Sequence, residues 1–435
     1  MSESLPGLDP HVLLVFLLQV SLLLLIAFAL GRLAVRIGLP ALVGELLTGV
    51  LLGPSLLGAL TPELFSWVLP NDADQLHLVD AVGQIGVLLL VGVTGIQLDG
   101  RMLRKRGSTG LKVSLAGLLL PLALGIGAGF LVPAALLADG SDRGVFALFL
   151  GVAMCVTAIP VIAKILADMG LLHRDIGQLT LAAGTVDDAV GWFLLSVVSA
   201  AATTGVRAGT VSMSVLYLVL FVAAAFLLGR PAVRWVMRRV HGGPRVTVAV
   251  VVMLLGAAVT QSMRMEAMFG AFIAGILIGQ ARDDEGILWR DLTPLRTVVL
   301  SVLAPIFMAT AGLRMDLTAL ADPKVLLAGF ALLLVAIVGK FAGAYLGARA
   351  SRLSHWEGIA LGAGMNARGV VEVVVATTGL RLGVLTIATY TIVVLIAVVT
   401  SVMGPPILRL AMSRIEPTPD ERDRELVLAG TAVRR

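Results

Sequence analysis

The chain has 435 residues, 58% of them hydrophobic and 14% charged, and its mean hydropathy is +0.98. Runs of 18 or more apolar residues recur, which excludes a soluble enzyme or binding module and identifies a polytopic membrane protein; the runs lack barrel-strand alternation, so they are helices. The formal charge of +5 is carried mostly by short loops, where it sets topology and gives no nucleic-acid signal, and a single cysteine, Cys155, excludes an internal disulfide or a multi-cysteine metal site.

Thirteen spans are predicted, at 10–35, 40–58, 78–98, 109–132, 145–168, 175–202, 211–230, 246–263, 267–281, 295–313, 324–349, 356–380 and 384–410. Residues 1–9 precede them as a short extracellular N-terminus. The first apolar stretch is too long for a signal-peptide core, so it reads as a span. Six spans (10–202), a linking helix (211–230) and six more spans (246–412) give the layout of an inverted repeat, because an odd linking helix flips the second half. The basic stretch 230–245, ending in HGGPR, is the predicted boundary between halves. Residues 413–435 are a short cytoplasmic tail, and no GxGxxG fingerprint in a βαβ setting marks a nucleotide-binding domain.

Twenty-five of the 33 basic residues fall in one set of loops or the span ends beside it, six in the other set or its flanking ends, and two deep inside spans. The positive-inside rule then puts the N-terminus outside and the C-terminus in the cytoplasm. Five lysines against 28 arginines suit a GC-rich bacterial genome, and with it the plasma membrane.

The polar residues inside the spans carry the functional signal. Asp187 and Asp188 are adjacent in the sixth span, where a carboxylate costs roughly 2.5–3.5 kcal/mol to insert. Neighbours on a helix lie about 100° apart, so the two can face different partners. In the fifth span, Pro160 removes a backbone hydrogen bond and makes Thr157, Ala158 and Ile159 candidates for an unwound stretch; a simple kink is the plainer alternative. Lys340, in the eleventh span, lies too deep to snorkel out and calls for a carboxylate partner, Asp187 or Asp188. The twelfth span combines Asn366, Arg368 and Glu372 with glycines at 362, 364 and 369, which suggests a second broken helix; Arg368 and Glu372 at i,i+4 could also neutralise each other. Arg368 and Lys164 are placed to offset the negative C-terminal ends of the broken helices.

The run TAIPVIAKILADMGLLHRDIGQLTLAAGTVDDAVGW resembles the signature of the monovalent cation:proton antiporter-2 family, which holds Kef-type bacterial transporters and plant cation/proton exchangers. MNARGVVEVVVATTGL is similar to the Asn–x–Arg/Lys–Gly–x–x–Glu segment of the plant branch, and LPALVGELLTGVLLGPSLLG, GAFIAGILIG and APIFMATAGLRMDL extend the likeness from about 35 to 410. The resemblance implies thirteen spans, a dimerisation bundle and a mobile core bundle in which two crossed broken helices, here the fifth and twelfth, meet. It implies that Asp188 binds the cation or a proton, that Asp187 pairs with Lys340, and that Thr157 supplies oxygen near the ion. Gln97 departs from the pattern, since relatives often carry Glu there, and the nucleotide-sensing domain of many Kef-type members is missing.

The expected function is therefore exchange of Na+ or K+ for protons by a homodimer in the lipid bilayer. It needs no cofactor beyond the transported cation and proton, no nucleic acid and no enzymatic chemistry. A cation channel, or a Kef-like potassium efflux pathway, would use the same carboxylates without uphill coupling. An intramembrane aspartyl protease needs two carboxylates sharing a proton, and adjacent residues on one helix point apart.

Overall fold

The computed structural model describes residues 9–68, 73–97, 100–204, 208–263, 265–281 and 287–422. Most of the expected N-terminal stub (1–8) and the end of the tail (423–435) lie outside them. Among the described residues the protein is almost entirely helical; its one β element is an isolated bridge between Leu137 and Leu385, in two loops at one end of the bundle.

The membrane helices in chain order are α1 (Pro10–Arg36), α2 (Ala41–Leu52), α3 (Ala73–Gln97), α4 (Gly100–Leu131), α5 (Arg143–Cys155), α6 (Ile159–Asp168), α7 (Asp175–Thr204), α8 (208–239), α9 (Gly243–Ser262), α10 (Ala267–Gly279), α11 (287–313), α12 (Pro323–Ala350), α13 (His355–Met365), α14 (Val370–Arg381) and α15 (Ile387–Met412). The pairs α5–α6 and α13–α14 are each one expected span in two halves. Large side chains such as Leu25, Phe28, Leu327 and Phe330 point outward from α1 and α12, as lipid-facing residues do.

Eleven helices among the described residues are long and apolar enough to cross a membrane, and the bent pair α13–α14 makes twelve. The expected ninth span falls short of that standard. It is α10, whose 13 residues reach about 20 Å against a hydrocarbon core of about 30 Å. Its glycines explain how a short helix is held: a Cβ on Gly275 would lie 2.0 Å from the Gly92 carbonyl of α3, and one on Gly270 2.0 Å from the Gly256 carbonyl of α9. Small residues at such seams let backbones approach closely, the main source of helix association in lipid.

Within the expected boundary stretch, 230–245, the break between helices is the turn at 240–242. Residues Arg230–Arg239 continue α8 through a π turn at Ala225–Gly229. Val233 and Met237 bury one side of this helix end while Arg234, Arg238 and Arg239 stay exposed, so the basic run is the wet face of an amphipathic turn.

The helices sort into two bundles. One packs α1, α2, α3, α9, α10 and α11; the other packs α4, α5, α6, α7, α12, α13, α14 and α15. The seam between α4 and α12 centres the second bundle. There Gly339, Gly343 and Gly347 face Pro121, Ala116 and Lys112, with room for no added methyl group. The two breaks occupy matching places, each in the fifth segment of its set of six, on either side of α8.

Candidate functional site

Each break has a local cause. In the first, an uninterrupted helix would set the Pro160 ring against the carbonyl of Val156 and leave that carbonyl without its donor. The chain responds by turning extended after Cys155, with Val156 at ψ 149° and Ala158 at ψ 103°. Pro160 then falls in the first turn of α6, where a missing N–H has no cost. In the second, α13 ends at Met365, Asn366 and Ala367 bond back to Gly362 and Gly364, and α14 restarts after Gly369 at 45° to α13. The two extended segments touch: the Ala158 N–H donates to the Ala367 carbonyl at 3.4 Å. A Cβ on Gly369 would sit 2.5 Å from Val161 Cγ2, so the crossing needs glycine there.

The acidic pair of α7 lies against this crossing. Gly191, a turn after the pair, lets Val156 approach; a Cβ there would stand 3.1 Å from Val156 Cγ2. Asp187, Asp188, Lys340, Arg368 and Asn366 are all fully buried.

Asp187 is saturated with donors. Ser114 of α4 donates to Oδ1 at 2.5 Å, and Thr157 and Lys340 donate to Oδ2 at 2.9 and 2.5 Å. Lys340 also donates to the Cys155 carbonyl at 2.5 Å, so one ammonium ties the carboxylate to the end of α5. Asp188 is the opposite case. Both its oxygens are buried and neither accepts a hydrogen bond from any described residue; the Ile159 N–H at the head of α6 faces it without closing one. More than nine in ten buried polar groups find a partner, so a carboxylate bare on both oxygens calls for a ligand. Both amide atoms of Asn366, at the second break, are buried and unpartnered too.

Arg368 fixes the first half-helix. It donates to the carbonyls of Ala153 and Met154 at 2.7 Å each and to that of Ala336 at 3.1 Å, and its own carbonyl accepts from Ser401. It thus supplies the cation that the negative end of α5 requires. It also pairs with Glu372 Oε1 at 3.0 Å, leaving Oε2 unpartnered and buried.

One expectation needs correction. Lys164 does not reach a helix end. It projects from α6 to Asp168 at 2.7 Å, an i,i+4 pair with both side chains 55% exposed. The C-terminal end of α13 therefore gains no cation from it. The Thr157 hydroxyl faces Asp187 and the Met365 carbonyl, 3.3 Å away, and so bridges the two breaks. Sequence reading missed Ser114 altogether; its only signal is a lone hydroxyl in the apolar run LKVSLAG.

The comparisons agree with this architecture. The sodium/hydrogen exchanger transmembrane family matches residues 21–413. The chain is 31% identical to the Na(+)/H(+) antiporter NhaS4 of Synechocystis, over 92% of this chain and 98% of that one. It is also 31% identical to Cation/H(+) antiporter 18 of Arabidopsis thaliana over 90% of its length, and spans about half (48%) of that longer protein. In fold it is similar to the sodium proton antiporter MjNhaP1 of Methanocaldococcus jannaschii, with a TM-score of 0.65 over 92% of this chain and 97% of that one, at 16% identity. The chain belongs to the sodium/hydrogen exchanger family.

Proposed function

We propose that this protein is a secondary transporter that exchanges a monovalent cation, Na+ or K+, for protons. Cation and proton compete for Asp188 while Asp187 stays bonded to Lys340. The observation that carries the reading is the contrast between neighbours: three donors hold Asp187, and among the described residues none holds Asp188. A deprotonated carboxylate binds a hard cation through oxygen. A protonated one is neutral and does not. One side chain cannot serve both at once, so loading one ligand expels the other and couples their gradients.

The Asn366 amide, unpartnered at the second break, is the neutral oxygen best suited to complete the cation's shell. The bundle holding both breaks is the moving part, and the α1–α3, α9–α11 bundle is the fixed partner, held by a second copy of the chain in a homodimer. The basic-loop bias supports an orientation with the C-terminus in the cytoplasm.

The test is a dye-quench assay in everted vesicles with sodium, potassium and lithium across pH. Cation addition should dissipate a proton gradient, and a pH gradient alone should drive uphill cation accumulation. Lowering pH should raise the apparent KM by about tenfold per unit in the fully competitive range, because each proton bound removes a cation site. A KM independent of pH would exclude competition at one carboxylate. Cation flux that never runs uphill would make the protein a channel.

A further inference from the structure

On α7, Asp188 begins a stripe. Trp192, Ser196 and Ser199 follow at spacings of four, four and three residues, which places all of them on one helix face. All three are at most 5% exposed, and Trp192 Nε1, Ser196 Oγ and Ser199 Oγ bond to no described residue. This departs from the rest of the helix. Thr180, Thr185 and Thr203 each donate back to a carbonyl of their own helix, at 2.7, 2.8 and 3.0 Å, as hydroxyls inside helices usually do. The stripe begins at the bare carboxylate and runs toward the Thr204 end of α7.

The first residue of the stripe after Asp188 faces the other bundle. The Trp192 ring lies 6.2 Å from that of Phe272 on α10, and beside this contact Phe221 of α8 packs 6.0 Å from Phe269. At the first turn of α10, Glu266 pairs with Arg381, the last residue of α14, at 3.1 Å, so the bundles are tied there by charge as well. Unpartnered polar groups thus lead away from Asp188 along one face of α7, with aromatic rings packed across to the other bundle at its first step.

We propose that Trp192, Ser196 and Ser199 line the passage by which a hydrated monovalent cation moves between Asp188 and the Thr204 face, and that the Trp192–Phe272 contact is its closed gate. The serine hydroxyls and the indole N–H supply hydrogen bonds to water travelling with the ion, at spacings of about 4.5–6 Å along the helix. Parting the rings opens the passage, and breaking Glu266–Arg381 lets the bundles separate at that end. The proposal rests on the exchange reading for the identity of what passes, but the accessibility of the passage can be read without transport.

The experiment replaces the lone cysteine (Cys155→Ala) and adds Ser196→Cys, Ser199→Cys or Ala201→Cys one at a time. Ala201 is equally buried but about 140–160° round the helix from both serines. A membrane-impermeant cationic methanethiosulfonate is applied to right-side-out and everted vesicles during turnover, and labelling is read by mass spectrometry. The expected result is labelling of the two serine positions from one side, Ser199→Cys faster than Ser196→Cys, and none at Ala201→Cys. Adding Trp192→Ala should raise the Ser196→Cys rate several-fold. If Ser196→Cys exchanges cation for protons yet is never labelled, or is labelled no faster than Ala201→Cys, the passage lies elsewhere and the exchange reading stands. If the stripe labels as expected in a protein that moves no cation, the passage stands and the exchange reading falls.

Discussion

Asp187 and Asp188 share a helix, a depth and a charge, yet the two faces of α7 treat them differently. The Asp187 face meets α4, α12 and the first break, and each contributes a donor: Ser114, Lys340 and Thr157. The Asp188 face meets the head of α6 and accepts no hydrogen bond from any described residue. A rotation of about 100° between neighbours is enough to make one carboxylate a structural anchor and the other a receptor. Adjacency therefore does not mean shared work, and pairing is what separates a fixed charge from an exchangeable one.

The largest way to test that contrast is Asp188→Asn. Exchange should fall to the background of empty vesicles while the melting temperature in detergent stays at or above the wild-type value, because no bond to a described residue is lost. Retained exchange would remove Asp188 from the mechanism. Lys340→Ala should do the reverse to the fold. It strands the Asp187 carboxylate and frees the Cys155 carbonyl, and removing one partner of a buried pair costs about 3–5 kcal/mol. Thermal unfolding should show Lys340→Ala and Asp187→Asn both well below Asp188→Asn; equal melting temperatures in the three variants would mean that the pair is not an anchor.

Much of this site was legible in the sequence because its residues break the rule of the membrane. A proline in the middle of a span, an adjacent acid pair and a deep lysine are costly in lipid, and each marked its own helix. The partners were less legible. Lys340 announced a need for a carboxylate, but the choice between two adjacent aspartates depends on the rotation of α7 against α12, which spacing along one chain does not encode. Arg368 reads both as an i,i+4 partner of Glu372 and as a cation for the C-terminal end of a broken helix, but which carbonyls it meets is not written in the sequence; its guanidinium donates to Glu372 and to the carbonyls of Ala153, Met154 and Ala336. The bonds to Ala153 and Met154 exist only because the first break exposes the end of α5. Ser114 gave almost no signal, since one hydroxyl in an apolar helix is cheap and common.

Ser114→Ala sharpens the comparison more gently. It removes one of three donors to Asp187 and leaves Lys340 and Thr157 in place. A hydrogen bond to a charged group is worth about 1.5–3 kcal/mol, so the melting temperature should fall by less than in Lys340→Ala. Exchange at saturating cation should persist, because the Asp188 face is untouched. Abolished exchange in a folded Ser114→Ala protein would show that the two faces are coupled after all.

Lys164→Ala should do least, and it tests the same logic from outside the cluster. Its ammonium holds only Asp168, one turn away, in an exposed i,i+4 pair. Such pairs are worth about 0.3–0.5 kcal/mol and weaken further in salt. Stability and exchange should both stay within error of wild type at moderate ionic strength, with any small loss confined to low salt. A lysine on the half-helix that opens toward Asp188 would be the natural second cation if charge number alone set the site. Its neutrality to substitution would show that geometry does: the end of α5 is served by two buried cations that reach its carbonyls, and a third that points to water adds nothing.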